Sequence, residues 1–365
     1  MSFFNQWYNS NGKKFYNIWQ AFDHQKETGT FPEYKLDDDF INLIKNIKKP
    51  KNLDHNYIKN LIVRRLKELR EKYKYLRLAL GGGTDSWSIL KYCIEYDIYV
   101  DEVFTQMNTI KVDNIKSNIE YLPSILYAEK FVGKNIGKVL RLHSTIEDWE
   151  NYLIPDWYKD PNFIRGNHLP GRWCIPCQFY KKTDLPLDQC VTIHGLDKPL
   201  VQNQKGKLYW TQLDTGISEI MGVENILPLF FDKGNPELTV AMTYGLLDNS
   251  DTTKEYIAYD TQPKNKKLRI LNAMGLVSTG HHFLDFHLLG KYKFDFQNYK
   301  NRLARKEIIQ LGRKDIIDEY FRNMKSMILQ YKDLSHGIEI KDKIYLKTIN
   351  RLSQKVPIYQ DSFGS

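Results

Sequence analysis

Cysteine is scarce in this chain, with four in 365 residues. That is too few for a secreted disulfide scaffold, and it predicts a protein of a reducing cytoplasm. No apolar run reaches the roughly 20 residues that a bilayer-spanning helix requires, so no membrane partner is expected. The opening MSFFNQWYNSNGKK lacks a basic segment followed by an apolar one and reads as no secretory signal. Internal repeats and low-complexity stretches are missing too. Negative charge is in deficit: 44 Asp and Glu stand against 53 Lys and Arg, a formal net charge of +9. The excess is densest at KNIKKPK (45–51), KNKKLR (264–269) and KNRLARKE (300–307). Such a surface suits nucleotides, pyrophosphate or RNA, although solvated lysine faces give the same pattern. The length suits two domains, or one α/β domain with large additions, and a hydrophobic content of 42% is enough for a core.

The most informative stretch is LRLALGGGTDS, residues 76–86. An apolar run ends at Leu80, Gly81-Gly82-Gly83 follow, then Thr84-Asp85-Ser86 and the helical-looking WSILKYCIEY. Strand, glycine turn and helix together bind phosphates, because glycines let the backbone approach the oxygens and the first helical N–H groups point at the charge. Asp85 would repel a phosphate unless a divalent cation lay between them, so the expected ligand is a nucleotide with Mg²⁺. No lysine follows the glycines, which excludes a G-x-x-x-x-G-K-[ST] loop. A plain glycine-rich turn is the bland alternative.

Around this loop the chain reads as strands alternating with helices. Asp54 is placed to cap a helix in which Ile58, Leu61, Ile62, Leu66 and Leu69 recur at helical spacing. Strands are expected at 98–107, 137–143 and 189–195, and Pro123 opens a helix through ILYAEKFV. That alternation predicts a parallel sheet with ligands beyond its carboxyl edge. Residues 37–39, a DDD run, read as a helix start, with a metal cluster as the alternative. The partition expected is an N-terminal extension (1–52), an α/β nucleotide-binding domain (53–229), a mainly helical region (230–350) and a tail (351–365).

Two further groups bear chemistry. The fourth strand ends in His194-Gly195-Leu196-Asp197-Lys198, a second glycine turn belonging at the same edge. There Asp197 could share the Mg²⁺, and Lys198 could hold the β and γ phosphates as a point charge. Cys174 and Cys177 form a C-x-x-C pair with Cys190 nearby and His168 and His194 flanking. Zn²⁺ or an iron–sulfur cluster, a redox pair and ordinary buried thiols are all open readings. His281, His282, His287 and Asp285 read as an aromatic helix with hydrogen-bonded histidines rather than a metal site, and Cys93 reads as core.

The loop resembles the PP-loop, S-G-G-x-D-S, of the N-type ATP pyrophosphatases, through Gly82, Gly83, Asp85 and Ser86. Gly81 departs from it, standing where the family has serine. The resemblance implies a parallel α/β sheet of that superfamily's type with a mainly helical C-terminal region. It also implies cleavage of ATP to AMP and pyrophosphate as a substrate oxygen is adenylated for attack by a nitrogen nucleophile. The loop residues Gly81 to Ser86 would hold the phosphates, with Leu80 and Met107 near the adenine. Asp85, Asp197 and Lys198 would be catalytic, the two carboxylates through Mg²⁺. Asparagine synthetase is the member most resembled, over roughly 55–250, with Gly195 and Asp197 matching its second glycine turn and Lys198 replacing a glutamate. The resemblance implies a small-molecule substrate, and because Ser2 stands where the glutaminase of that enzyme has its cysteine nucleophile, it also implies free ammonia, a separate amidotransferase partner or a different nucleophile. A sulfur-handling relative acting on tRNA or resembling phosphoadenylylsulfate reductase is the second reading, favoured by the cysteines and the charge. A nucleotide-binding module without turnover is the third.

Overall fold

The computed structural model describes residues 6–16, 18–107, 121–157, 182–195, 200–204, 207–211, 225–248, 276–278, 304–331, 338–340, 343–345 and 356–357. Strands β1 (Gln6–Ser10) and β2 (Lys13–Phe15) form a hairpin, with Ser10 opposite Lys13. Its two-residue loop is Asn11-Gly12, both at positive φ (49° and 81°), the conformation that matches the twist of the flanking strands. Helix α1 (Ile18–Thr28) follows, then β3 (Glu33–Leu36), which pairs with β1 to complete a three-stranded antiparallel sheet. Helix α2 (Asp38–Asn46) is capped by Asp37, whose carboxylate accepts from Phe40 N–H at 3.0 Å. Asp37 and Asp39 both pair with Lys233 (3.1 and 3.0 Å), so these two acidic side chains of the DDD run serve a helix start and an ion pair.

Helix α3 (His55–Lys72) begins at Asp54, which accepts from Tyr57 N–H at 2.8 Å. Its apolar stripe leads directly into β4 (Tyr75–Ala79). Beyond the glycine loop come α4 (Thr84–Glu95), β5 (Val100–Met107), α5 (Leu122–Glu129), β6 (Ile136–His143) and α6 (Ile146–Glu150). The strands β7 (Cys190–His194), β8 (Leu200–Gln204), β9 (Lys207–Thr211) and β10 (Ile226–Pro228) follow, then α7 (Pro236–Asp248). Five strands make an all-parallel sheet in the order β10-β7-β4-β5-β6. Numbered along the chain, that is 3-2-1-4-5 read from the β6 edge, a Rossmann-like order. The protein is thus α/β, and the strand order reverses between β4 and β7.

Alternation along the strands divides the buried side chains between two cores. Leu76, Leu78, Val103, Val191 and Ile193 pack with Ile58, Leu61, Ile62, Leu66 and Leu69 of α3 and with Ile89, Leu90 and Cys93 of α4. On the other face, Ala79 and Phe104 join Trp19, Phe40, Trp149, Tyr152, Phe231 and Val240. Each such large side chain, fully buried, contributes about 1.5–3 kcal/mol over its exposed state. Helix α7 contributes to both cores through Leu238 and Val240.

The second face also carries a polar row. Thr192, Arg77, Glu102 and Lys138 are neighbours in register across β7, β4, β5 and β6. Arg77 and Glu102 are wholly buried and paired, Nε to Oε1 at 2.7 Å. The other Glu102 oxygen accepts from Thr183 Oγ1 at 2.6 Å and lies 3.2 Å from Lys138 Nζ.

A second, four-stranded antiparallel sheet has the order β11-β8-β9-β14, with β11 at Leu276–Ser278; β12 (Ile338–Ile340) and β13 (Lys343–Tyr345) form a separate pair, and β14 is Val356–Pro357. Helical residues 304–310 and helix α8 (Lys314–Tyr331) belong to the same C-terminal part. No described helix is long and apolar enough to cross a membrane.

Candidate functional site

The loop from Leu80 to Gly83 leaves β4 at the carboxyl edge of the parallel sheet, beside the point where the strand order reverses. Leu80 is buried, and its N–H donates to Phe104 C=O at 2.8 Å, extending the β4–β5 pairing by one residue. Gly82 then takes φ +76°, a conformation open to glycine and strained for other residues. Gly83 is the N-cap of α4, extended and without a side chain to satisfy the helix start. The helical ladder begins only at Trp87, whose N–H donates to Gly83 C=O at 3.1 Å. The first amides of α4 therefore precede the ladder and lie at the positive end of the helix dipole, the arrangement that receives anions. Thr84 and Asp85 occupy this first turn, and the Asp85 side chain is half-buried.

Ser86 is buried within the loop rather than displayed on it. Its Oγ accepts from Gly81 N–H at 3.1 Å and donates to Gly83 C=O at 3.3 Å, so one hydroxyl ties both ends of the glycine run. A side chain has room at the other two glycines: a Cβ on Gly81 would come no nearer than 3.9 Å to Ser86 Oγ, and one on Gly83 would meet nothing within 4 Å.

Gly195, the glycine that follows β7, arrives at the same place. His194, the last residue of β7, is opposite Ala79 of β4 on one side and Pro228 of β10 on the other. Gly195 follows it and lies against the start of α4. A Cβ there would sit 2.9 Å from Ser86 N, 3.1 Å from Asp85 C and 3.2 Å from Asp85 Cβ. Only a residue without a side chain allows the two backbones to approach this closely. The structure thus brings together Leu80, Gly81, Gly82, Gly83, Asp85, Ser86 and Gly195. Met107 ends β5 one strand away, opposite His143 of β6.

Asp197, Lys198, Cys174, Cys177, His168 and the histidines of 281–287 lie outside the described residues. Cys190 is described, and it begins β7, at the amino end of the sheet, away from the glycine loop. Its thiol donates to Pro186 C=O at 3.1 Å, and burial pushes its pKa up. Among the described residues, no group of three His, Cys, Asp or Glu side chains is placed to hold a metal ion. Burial likewise pushes the Cys93 thiol up to about 12, as a core residue of α4.

The Arg77–Glu102 pair is the feature that sequence reading passes over. Its signal is an arginine inside the otherwise apolar run 76–80 and an acidic residue inside a strand-like segment 98–107. No protein-family model matches the chain, and no curated protein matches it either.

Proposed function

We propose that this chain binds ATP with Mg²⁺ at the loop between β4 and α4 and acts as an ATP pyrophosphatase of the PP-loop kind. The observation that carries the reading is the backbone contact of Gly195 with Asp85 and Ser86. It joins two glycine turns at the reversal point of a parallel sheet, where open α/β sheets bind their ligands. The positive φ of Gly82 and the amides that open α4 fit a polyphosphate, and Asp85 in that first turn is the residue to hold the cation. Mg²⁺ bound there would neutralise charge on the phosphates.

The roles of the chain's own residues follow. The backbone of 82–86 receives the β and γ phosphates. Asp197 and Lys198 follow Gly195 by two and three residues in the sequence, and we assign them to the same ligand. Lys198 would stabilise charge on the departing pyrophosphate. A substrate oxygen attacks the α-phosphorus, and a nitrogen nucleophile then displaces AMP, as in asparagine synthetase.

The test is a pyrophosphate-release assay with ATP and Mg²⁺ across aspartate, other carboxylates and tRNA. The expected products with a productive acceptor are AMP and pyrophosphate. ADP and orthophosphate as the main products would place the chemistry elsewhere. Turnover confined to tRNA would favour the sulfur-handling reading.

A further inference from the structure

We infer that Ser86 is a positioning residue: its side chain preforms the phosphate loop by bridging Gly81 and Gly83. The inference rests on the loop being the nucleotide site, and it adds a role within it. A hydroxyl has one proton and two lone pairs. Here the proton goes to Gly83 C=O at 3.3 Å and a lone pair receives Gly81 N–H at 3.1 Å. The hydroxyl is therefore committed on both sides to the backbone of the run it closes. Ser86 is also held from behind, since Gly195 packs on its amide and it lies in the first turn of α4.

The need for such a brace is physical. Three consecutive glycines have more backbone freedom than any other tripeptide, and ordering them around a ligand costs entropy at the moment of binding. Gly81 brings no side chain to the loop and is itself exposed, so packing does little to hold it. The Ser86 bridge restricts both ends of the run before the ligand arrives, so less ordering remains for binding to provide. A serine that acted only as a ligand would have its effect only in the complex. A brace has its effect in the free protein.

The experiment compares wild type, Ser86→Ala and Ser86→Thr in three measurements on the full chain. These are thermal midpoint, amide hydrogen exchange at Gly81 without ligand, and affinity for Mg²⁺-pyrophosphate and Mg²⁺-ATP by calorimetry. In Ser86→Ala, Gly81 exchange should quicken, and both affinities should fall roughly fivefold, the worth of one net hydrogen bond. Ser86→Thr, which keeps the hydroxyl, should restore both. Gly81 exchange unchanged in Ser86→Ala overturns the inference, as does faster exchange with unchanged affinity. A Ser86→Ala chain that no longer folds leaves Ser86→Thr to decide. If Ser86→Thr is folded but fails to keep wild-type exchange and affinity, the inference is overturned. Wild type that binds neither ligand refutes the nucleotide reading itself, an outcome separate from all of these.

Discussion

Arg77 and Glu102 face each other across β4 and β5 with neither side chain exposed, Nε 2.7 Å from Oε1. The guanidinium also lies over the Phe104 ring, 4.7 Å from its centroid. Glu102 answers a second charge, Lys138, and a hydroxyl, Thr183. Two buried charges are costly to desolvate, so the pair adds little net stability over apolar residues of the same size. It matches β4 to β5 in one register, and it pins residue 183, which leads into β7, to the same sheet face.

Removing one partner should therefore be severe. Glu102→Leu is expected to cost about 3–5 kcal/mol, because it takes the paired carboxylate from a buried guanidinium, and Arg77→Leu somewhat less, because Glu102 keeps Lys138 and Thr183. The double variant should cost clearly less than the sum of the two. Urea denaturation of the four proteins measures this, and additive single effects would show that the two side chains are not coupled.

The contact of Gly195 with the start of α4 predicts a sharp difference between glycines. Gly195→Ala places a methyl group 2.9 Å from Ser86 N, a distance that backbone atoms cannot accept without moving. Gly81→Ser has room, with its nearest neighbour 3.9 Å from the new Cβ. Calorimetry with Mg²⁺-ATP should show much weaker binding for Gly195→Ala and retained binding for Gly81→Ser. Equal affinities in the two variants would mean that the second turn does not support the loop.

Which parts of this arrangement can be read from sequence depends on how local their causes are. Helix α3 is legible because its cap and its stripe are set by neighbours a few residues apart: Asp54 reaches Tyr57, and Ile58, Leu61 and Ile62 share one face. Strands β4 to β7 are legible as apolar runs between turns. The N-terminal sheet is hidden because β2 has three residues and β3 four, too few for alternation to register. The Asn11-Gly12 turn is its one strong signal. Strands β11 and β14, of three and two residues, are hidden for the same reason. At the site, the glycine loop is visible as composition and the second turn as an analogous strand end. Their contact, Gly195 on Ser86, joins residues far apart in sequence and exists only once β7 lies beside β4. The Arg77–Glu102 pair is equally long-range, so the arginine reads as a blemish in an apolar strand.

Cys93 offers a pH-dependent test of the core beneath the loop. Burial raises its thiol from about 9.0 to about 12, so the folded state favours the protonated form. For a group whose folded pKa is raised, the contribution to stability is complete below the unfolded value and is lost as pH climbs through the folded one. Stability should thus be insensitive to Cys93 below about pH 9 and should fall between about 9 and 12. At pH 8 the native thiol should resist iodoacetamide, and unfolding in urea should release it. Mass spectrometry of the alkylated peptides reads the result, and rapid native labelling at Cys93 would contradict its place in the α3–α4 core.

The last prediction separates the cation from the backbone in ligand binding. Asp85→Asn keeps size and helix-start preference but removes the charge. If the carboxylate works through Mg²⁺, the variant should lose the metal-dependent part of ATP affinity while keeping its metal-free part. The metal-free part should even improve, since repulsion between Asp85 and the phosphates is gone. Gly83→Val should behave differently. Residue 83 has φ −81° and nothing within 4 Å of a new Cβ, so the fold should tolerate the change. The added side chain would fill the space that a phosphate approaches, and binding should fall with and without Mg²⁺. Calorimetry on both variants, with magnesium and with a chelator, distinguishes the two patterns. ATP affinity unchanged in both would mean that the loop after β4 is a structural turn and that the nucleotide, if one binds, binds elsewhere.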